Sequence, residues 1–457
     1  MRLAVLNIVG LSESLLGPRL PGLTAFANTH GHQSYAPVFP AVTCTAQSSL
    51  TTGLPPSSHG IVANGWYDRE SAEVRFWKQS NRLVRGKKLW DKLRGHVPGF
   101  TCAKLFWWHN MYSTADFSIT PRPLYPADGR KVFDIHTQPM LLRDDLKRDL
   151  GEFPFPAFWG PAAGIASSEW IAASATWIED NHSPTISLVY LPHLDYPLQK
   201  YGPFAPNLPG ELAKIDRVAT DLIAFYQARG VRVLALSEYG ISPVNRPVHL
   251  NRLFRAKGWL LLKDELGRET LDCGGSRAFA VADHQVAHVY VNDPSILNDV
   301  RSLVENTPGI DEVRVPQQIW GSGIATDRAG DFIAVAALDS WFTYYFWDND
   351  ALAPDYARTI DIHRKPGYDP CELFLDPSLK MPALRVAKFL LGKKLGLRGL
   401  LEVIPLDASL VKGSHGRDCL PLNECPVLLG TWFSVSNAAD VHQVMIDAVL
   451  HGDHPAR

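Results

Sequence analysis

The sequence predicts an α/β protein with a mostly parallel central sheet, helices on both faces and a small inserted α+β cap. Three observations carry this reading. Apolar, β-branched runs recur at 3–9 (LAVLNIV), 185–193 (TISLVYLPH), 231–240 (VRVLALSEYG) and 332–338 (FIAVAAL). They are nearly continuous rather than alternating, as strands covered on both faces are. Between them lie helical patterns, SSEWIAASATWIED (167–180) and ELAKIDRVATDLIAFYQARG (211–230). Finally, AFAVADHQVAHVYV (278–291), PSILNDVRSLVENTPG (294–309) and IDEVRVP (310–316) read as strand, helix and strand with local connections. That places a cap at 250–325, inserted into a core of 1–249 and 326–457.

Composition narrows the function classes. Hydrophobic residues make up 46% and charged residues 20%, which excludes a disordered chain. A net charge of −2 argues against the broad basic face of a nucleic-acid binder. The start, MRLAVLNIVGLSE, has too short an apolar run for a secretory leader and reads as a buried first strand. No apolar run reaches the length of a membrane span. The six cysteines form no CxxC pair, so reduced thiols in a cytoplasmic protein are expected. Aromatic clusters at FWWHNMY (106–112) and SWFTYYFW (340–347) predict either a deep core or an apolar groove.

In a parallel sheet the ligand sits beyond the carboxyl ends of the strands. After the first strand and the extended YAPVFP comes TCTAQSSLTTG, with Thr43 at a helix start. Such a position offers free N–H groups and positive dipole to a phosphate or sulfate; it is also an ordinary place for a threonine. Asp195 follows the strand at 185–193, Glu238 follows the strand at 231–240, and His415 lies between glycines in KGSHGRD. Each residue alone has a bland structural explanation. Together they fall at one edge of one sheet.

These landmarks resemble the alkaline phosphatase superfamily, and within it the nucleotide pyrophosphatase/phosphodiesterase branch. FPAVTCTAQSSLTTGLPPSSHGIVANGWYD is similar to that branch's nucleophile segment, and YLPHLDYPLQKYGP, LSEYGI and GSHG are similar to its ligand segments. The resemblance implies an alkaline phosphatase-like fold and two metal ions, usually zinc, bracketing a nucleophilic threonine. It assigns that role to Thr43, leaving Cys44 to pack and Thr45 to support the helix start. Cys44 as a sulfatase-type nucleophile is set aside, because Ala46 and Ser48 stand where that motif needs Pro and Arg.

The ligand positions depart from the pattern. Val9 stands for the first Asp, Gln199 for the His four residues after Asp195, and Glu238 and Tyr239 for the Asp-His pair. Only Asp195 and His415 match outright. Valine offers no donor and glutamine a weak neutral one, so these departures from the family pattern favour one divalent ion, zinc, over two. Asp195, Glu238 and His415 would hold it, with Gln199 or water completing the shell. Rebuilding candidates are Asp361 and His363 as ligands, with Arg364, Lys365, Tyr239 and Arg122 as substrate contacts. Asn7, on the face of Val9, is a weak stand-in. His193 and His288 read as packed residues and His284 as cap rim. LRVAKFLLGKKLGLRG (384–399) reads as a basic amphipathic helix facing solvent, with membrane-surface binding as the alternative.

The function expected is a metal-dependent phosphoester hydrolase or phosphodiesterase, acting through Thr43 on a small phosphorylated metabolite. The alternative is a silent or repurposed relative that binds a phosphorylated ligand or a partner without a dinuclear zinc site.

Overall fold

The computed structural model describes residues 1–451. Its main sheet has eight strands, in the order His32–Ser34, Val427–Leu429, Arg232–Leu236, Leu3–Ile8, Ile186–Leu191, Cys102–Leu105, Phe117–Pro121 and Ile135–Gln138. The five strands from Arg232–Leu236 to Phe117–Pro121 are parallel. Antiparallel pairings occur only towards the two margins. All six residues of Leu3–Ile8 and of Ile186–Leu191 are buried, which is why those runs are apolar without alternation.

Helices Ile165–His182 and Leu208–Gln227 pack together over one face, and Thr43–Thr52 and Ala438–Leu450 over the other. In Leu208–Gln227 the buried Leu212, Ile215, Ala219, Leu222, Ile223 and Tyr226 recur at three- and four-residue spacing, the stripe a sheet-covering helix needs. Register brings Asn7 level with Tyr190 and Leu236, so the loops leaving these three strands emerge at one edge.

A second, four-stranded antiparallel sheet runs Ala278–Asp283, Val286–Val291, Phe332–Ala336, Ile310–Arg314. Its third strand is FIAVA, which the apolar pattern had placed in the main sheet. Continuous burial looks the same in sequence whichever sheet provides it, so pairing was not readable there. This strand also lies past residue 325. The second sheet shares a core with Tyr67, Phe76, Trp341, Phe342 and the Tyr344–Trp347 run. Trp107, Trp341 and Trp347 are fully buried, so these members of the aromatic clusters serve packing rather than a groove.

Candidate active site

Helix Thr43–Thr52 begins the site. All ten of its residues are buried, although few are apolar. Small side chains let it lie deep, and three of its hydroxyls bond back within the helix: Ser48 donates to the Cys44 carbonyl at 2.7 Å, Thr51 to that of Gln47 at 2.7 Å and Thr52 to that of Ser48 at 2.6 Å, while Ser49 Oγ lies 2.9 Å from His59 Nε2. Val42, the preceding residue, is extended and offers no capping side chain. The Cys44 N–H instead donates to Asn64 Oδ1 at 2.9 Å, and Asn64 donates through its own amides to Asp283 at 2.8 and 3.0 Å. Burial, with help from Asp283 and Glu238, pushes the Cys44 thiol well up, which keeps it protonated and inert.

Thr43 Oγ1 lies 3.0 Å from the Tyr239 hydroxyl. Tyr239 is itself 1% exposed, and its ring lies flat on His415, with centroids 3.6 Å apart and 9° between planes. The stack continues: His415 to His284 at 3.7 Å, and His284 to Tyr368 at 3.5 Å. Four rings therefore form one continuous stack, which Thr43 meets at Tyr239. His415 Nδ1 is 2.7 Å from the Ala41 carbonyl oxygen, so that nitrogen carries the proton and donates, leaving Nε2 as an acceptor. Burial holds both histidines well below their ordinary pKa, so both are neutral.

The carboxyl groups are buried without a facing cation. Asp195 Oδ2 accepts from Gln199 at 2.8 Å, and Gln199 Oε1 accepts from the Tyr368 hydroxyl at 2.8 Å. Burial raises the Asp195 carboxyl to about 7, partly offset by Gln199 and the nearby Tyr239 hydroxyl. Glu238 accepts from the side-chain amides of Gln47 and Asn7, and burial raises it to about 8. Asp283 is raised to about 6, again by burial.

The donor set can be held against the ion that the sequence resemblance implies. Asp195 Oδ1 and His415 Nε2 are buried, unpaired and 4.0 Å apart, and Glu238 Oε2 is also unpaired. Yet among the described residues no three His, Cys, Asp or Glu side chains are arranged to hold a metal. The joint grip expected of Asp195, Glu238 and His415 is therefore not found. Two features account for it: Asn7 and Gln47 engage Glu238, and Tyr239 puts a ring and a hydroxyl where the family pattern has an imidazole. Val9 is wholly buried hydrophobic core. Three-ligand zinc binding does not fit these residues.

The structure thus gathers Thr43, Asp195, Gln199, Glu238, Tyr239 and His415. It directs the other candidates elsewhere. Lys365 is buried and ion-paired with Asp369 and Glu372, both at 2.7 Å, so it is no free phosphate contact. Arg364 is exposed, pairs with Asp355 and lies over the Tyr356 ring. His363 and Arg122 are exposed and Asp361 is partly exposed. Asp361 and Arg122 both act on the exposed Tyr125, and the Asp361 N–H donates to Glu372 at 3.1 Å. His193 is buried with Nε2 3.1 Å from Glu211, and His288 faces the Val62 carbonyl, both as packed residues.

Sequence reasoning missed His284 and Tyr368. His284 is not cap rim: it forms the turn between Ala278–Asp283 and Val286–Val291, and is 2% exposed. Its φ of +62° is the available signal in retrospect, because a histidine occupies a tight-turn position that glycine or asparagine normally takes. Tyr368 lies three residues after Lys365, and nothing in its sequence neighbourhood marks it as a stacking ring.

Comparison with known proteins agrees with this architecture. Murine ectonucleotide pyrophosphatase/phosphodiesterase 5 aligns over 100% of this chain and 97% of its own, with a TM-score of 0.57 and 14% identity. Phosphonoacetate hydrolase from Sinorhizobium meliloti 1021, in complex with phosphonoacetate, aligns over 98% and 96%, with a TM-score of 0.61 and 14% identity. An uncharacterized pyrophosphatase/phosphodiesterase of Schizosaccharomyces pombe is 26% identical over 246 residues, 51% of this chain. That match spans 44% of the relative's own length. The model of type I phosphodiesterase/nucleotide pyrophosphatase matches residues 3–369. The chain belongs to the type I phosphodiesterase/nucleotide pyrophosphatase family of the alkaline phosphatase superfamily.

Proposed function

We propose that this chain is a phosphoric ester hydrolase in which Thr43 attacks the phosphorus of a small phosphorylated metabolite. The observation that carries it is Thr43 at the first position of a buried helix, with its hydroxyl against Tyr239 and carboxyls close by. Family membership supports the reaction class. An inactive variant of murine ectonucleotide pyrophosphatase/phosphodiesterase 5 with alanine for a threonine, in complex with AMP, is a structural neighbour.

The chemistry is assigned to this chain's own groups. Thr43 Oγ1 forms a bond to phosphorus as the bond to the departing oxygen breaks. The Thr43 proton passes to the Tyr239 oxygen as Tyr239 releases its own to Asp195, and the departing group leaves as its anion; in the second step the Asp195 proton returns through Tyr239 to the Thr43 oxygen, and the proton shed by the attacking water neutralises the departed anion. Water then cleaves the phosphothreonine and restores Thr43. The helix start favours the negative charge that builds on the phosphoryl oxygens.

Thr43→Ala is expected to abolish release of nitrophenol from bis(4-nitrophenyl) phosphate. In the wild type, acid quench followed by peptide mass spectrometry should find the phosphoryl group on Thr43. A variant that kept the wild-type rate would remove Thr43 from the reaction.

A second reading, binding of a phosphorylated ligand without turnover, draws on the loss of donors at Val9, Gln199 and Tyr239. Calorimetric binding of AMP by a wild type that releases no nitrophenol would favour it.

A further inference from the structure

Helix Pro382–Lys394 has no buried residue. Its half-buried positions, Pro382, Val386 and Phe389, mark the side turned to the protein. Leu384, Leu391 and Leu395 follow at spacings of seven and four, so they form one stripe on the opposite side. They are 59%, 60% and 70% exposed. A helix of a water-soluble surface turns its leucines inward; this one turns a leucine stripe outward.

The charge around that stripe is mainly positive, with Arg385 paired to Glu402 at 3.3 Å. Residues 377–401 contain six basic side chains and no acidic one. At 100° per residue, Lys388 and Lys394 fall on opposite flanks of the leucine stripe. The segment is held in place from its other side: Lys393 Nζ donates to the Lys131 carbonyl at 3.1 Å and Arg398 to that of Asp128 at 3.0 Å.

We propose that residues 381–400 dock this chain on an anionic lipid bilayer, the leucine stripe entering the headgroup boundary and Lys388 and Lys394 meeting lipid phosphates. Basic flanks on both sides of an apolar strip suit a flat anionic surface. A second copy of this chain is a poor occupant, because it would set six positive charges against six more. No helix among the described residues is long and apolar enough to cross a membrane, so this one lies on the surface. The basic helix pattern seen in the sequence is thereby given the role of surface binding rather than mere solvation. This inference is independent of the hydrolytic reading.

The test uses the purified full chain and sucrose-loaded vesicles, either phosphatidylcholine alone or phosphatidylcholine mixed with phosphatidylglycerol. Expected is co-sedimentation with the mixed vesicles only, reversed by high salt. Lys388→Gln with Lys394→Gln should weaken it by roughly five-fold per charge. Leu384→Ser, Leu391→Ser and Leu395→Ser together should cut it by more than about tenfold, with an unchanged thermal transition. Three outcomes overturn the proposal: no binding to anionic vesicles, equal binding by both variants, or self-association in sedimentation velocity that the serine variant abolishes.

Discussion

Replacing Lys365 with methionine separates a structural lysine from a phosphate-binding one. The ammonium lies 2.7 Å from Asp369 Oδ2 and 2.7 Å from Glu372 Oε1, and the three side chains are 1%, 2% and 0% exposed. Burial alone would lower the Lys365 pKa, but the two carboxylates outweigh it and hold it above its ordinary value. A raised lysine pKa stabilises the fold fully below the unfolded value and loses that contribution as pH climbs through the folded one, so wild type keeps it at neutral pH. Methionine leaves two buried carboxylates facing each other. Breaking a buried pair by removing one partner costs about 3–5 kcal/mol, a large part of a total of roughly 5–15 kcal/mol. Urea unfolding followed by tryptophan fluorescence reads this, since Trp159 Nε1 donates to Glu372. The deficit should be largest near pH 8. It should shrink as pH falls, because the orphaned carboxyls bind protons more readily folded than unfolded. Adding Asp369→Asn and Glu372→Gln should recover most of it, as neutral replacements of buried ion networks often do. A deficit below about 1 kcal/mol at pH 8, together with a raised KM for a phosphate ester, would refute this account and return Lys365 to the substrate.

Two further predictions bear on the site. Tyr239→Phe removes one partner of the buried Thr43 hydroxyl and leaves it Glu238; a stability loss of about 1 kcal/mol and a fall in kcat of roughly a hundredfold are expected in chemical denaturation and ester hydrolysis, and an unchanged kcat would take Tyr239 out of the proton path. Val9→Asp, Gln199→His and Tyr239→His together should make the protein retain zinc through chelator-free purification, measured by plasma mass spectrometry. Stoichiometric zinc in the wild type would contradict the poor donor fit.

The sheet was legible because burial on both faces writes continuous apolar runs, and because strand exits such as Glu238 carry polar residues just where the apolar run stops. Helix Thr43–Thr52 was legible through a long, specific segment. Three things were not. FIAVA gave no sign of which sheet it joins, since Phe332–Ala336 is buried in either case. Lys365 looked like a phosphate contact because its two partners, Asp369 and Glu372, sit four and seven residues on and only the folded loop turns them back on it. The ring stack joins residues 239, 284, 368 and 415, from separate elements, and no local spacing encodes that meeting.

The stack explains how three carboxyls can be buried here without a facing cation. Glu238 and Asp195 take amide hydrogens from Asn7, Gln47 and Gln199, and their pKa values rise to about 8 and about 7. Asp283 takes Asn64 and the His284 Nδ1 hydrogen at 2.8 Å. Amide hydrogens rather than a cation thus face these carboxyls, leaving Asp195 Oδ1 and Glu238 Oε2 unpaired. Tyr239 completes the exchange by filling an imidazole's place with a ring that stacks on His415 and a hydroxyl that holds Thr43. These replacements favour one another. Restoring an imidazole in place of Tyr239 alone would remove the hydroxyl from Thr43 while Val9 and Gln199 still supplied neither carboxylate nor imidazole, so metal binding should return only when all three positions change together.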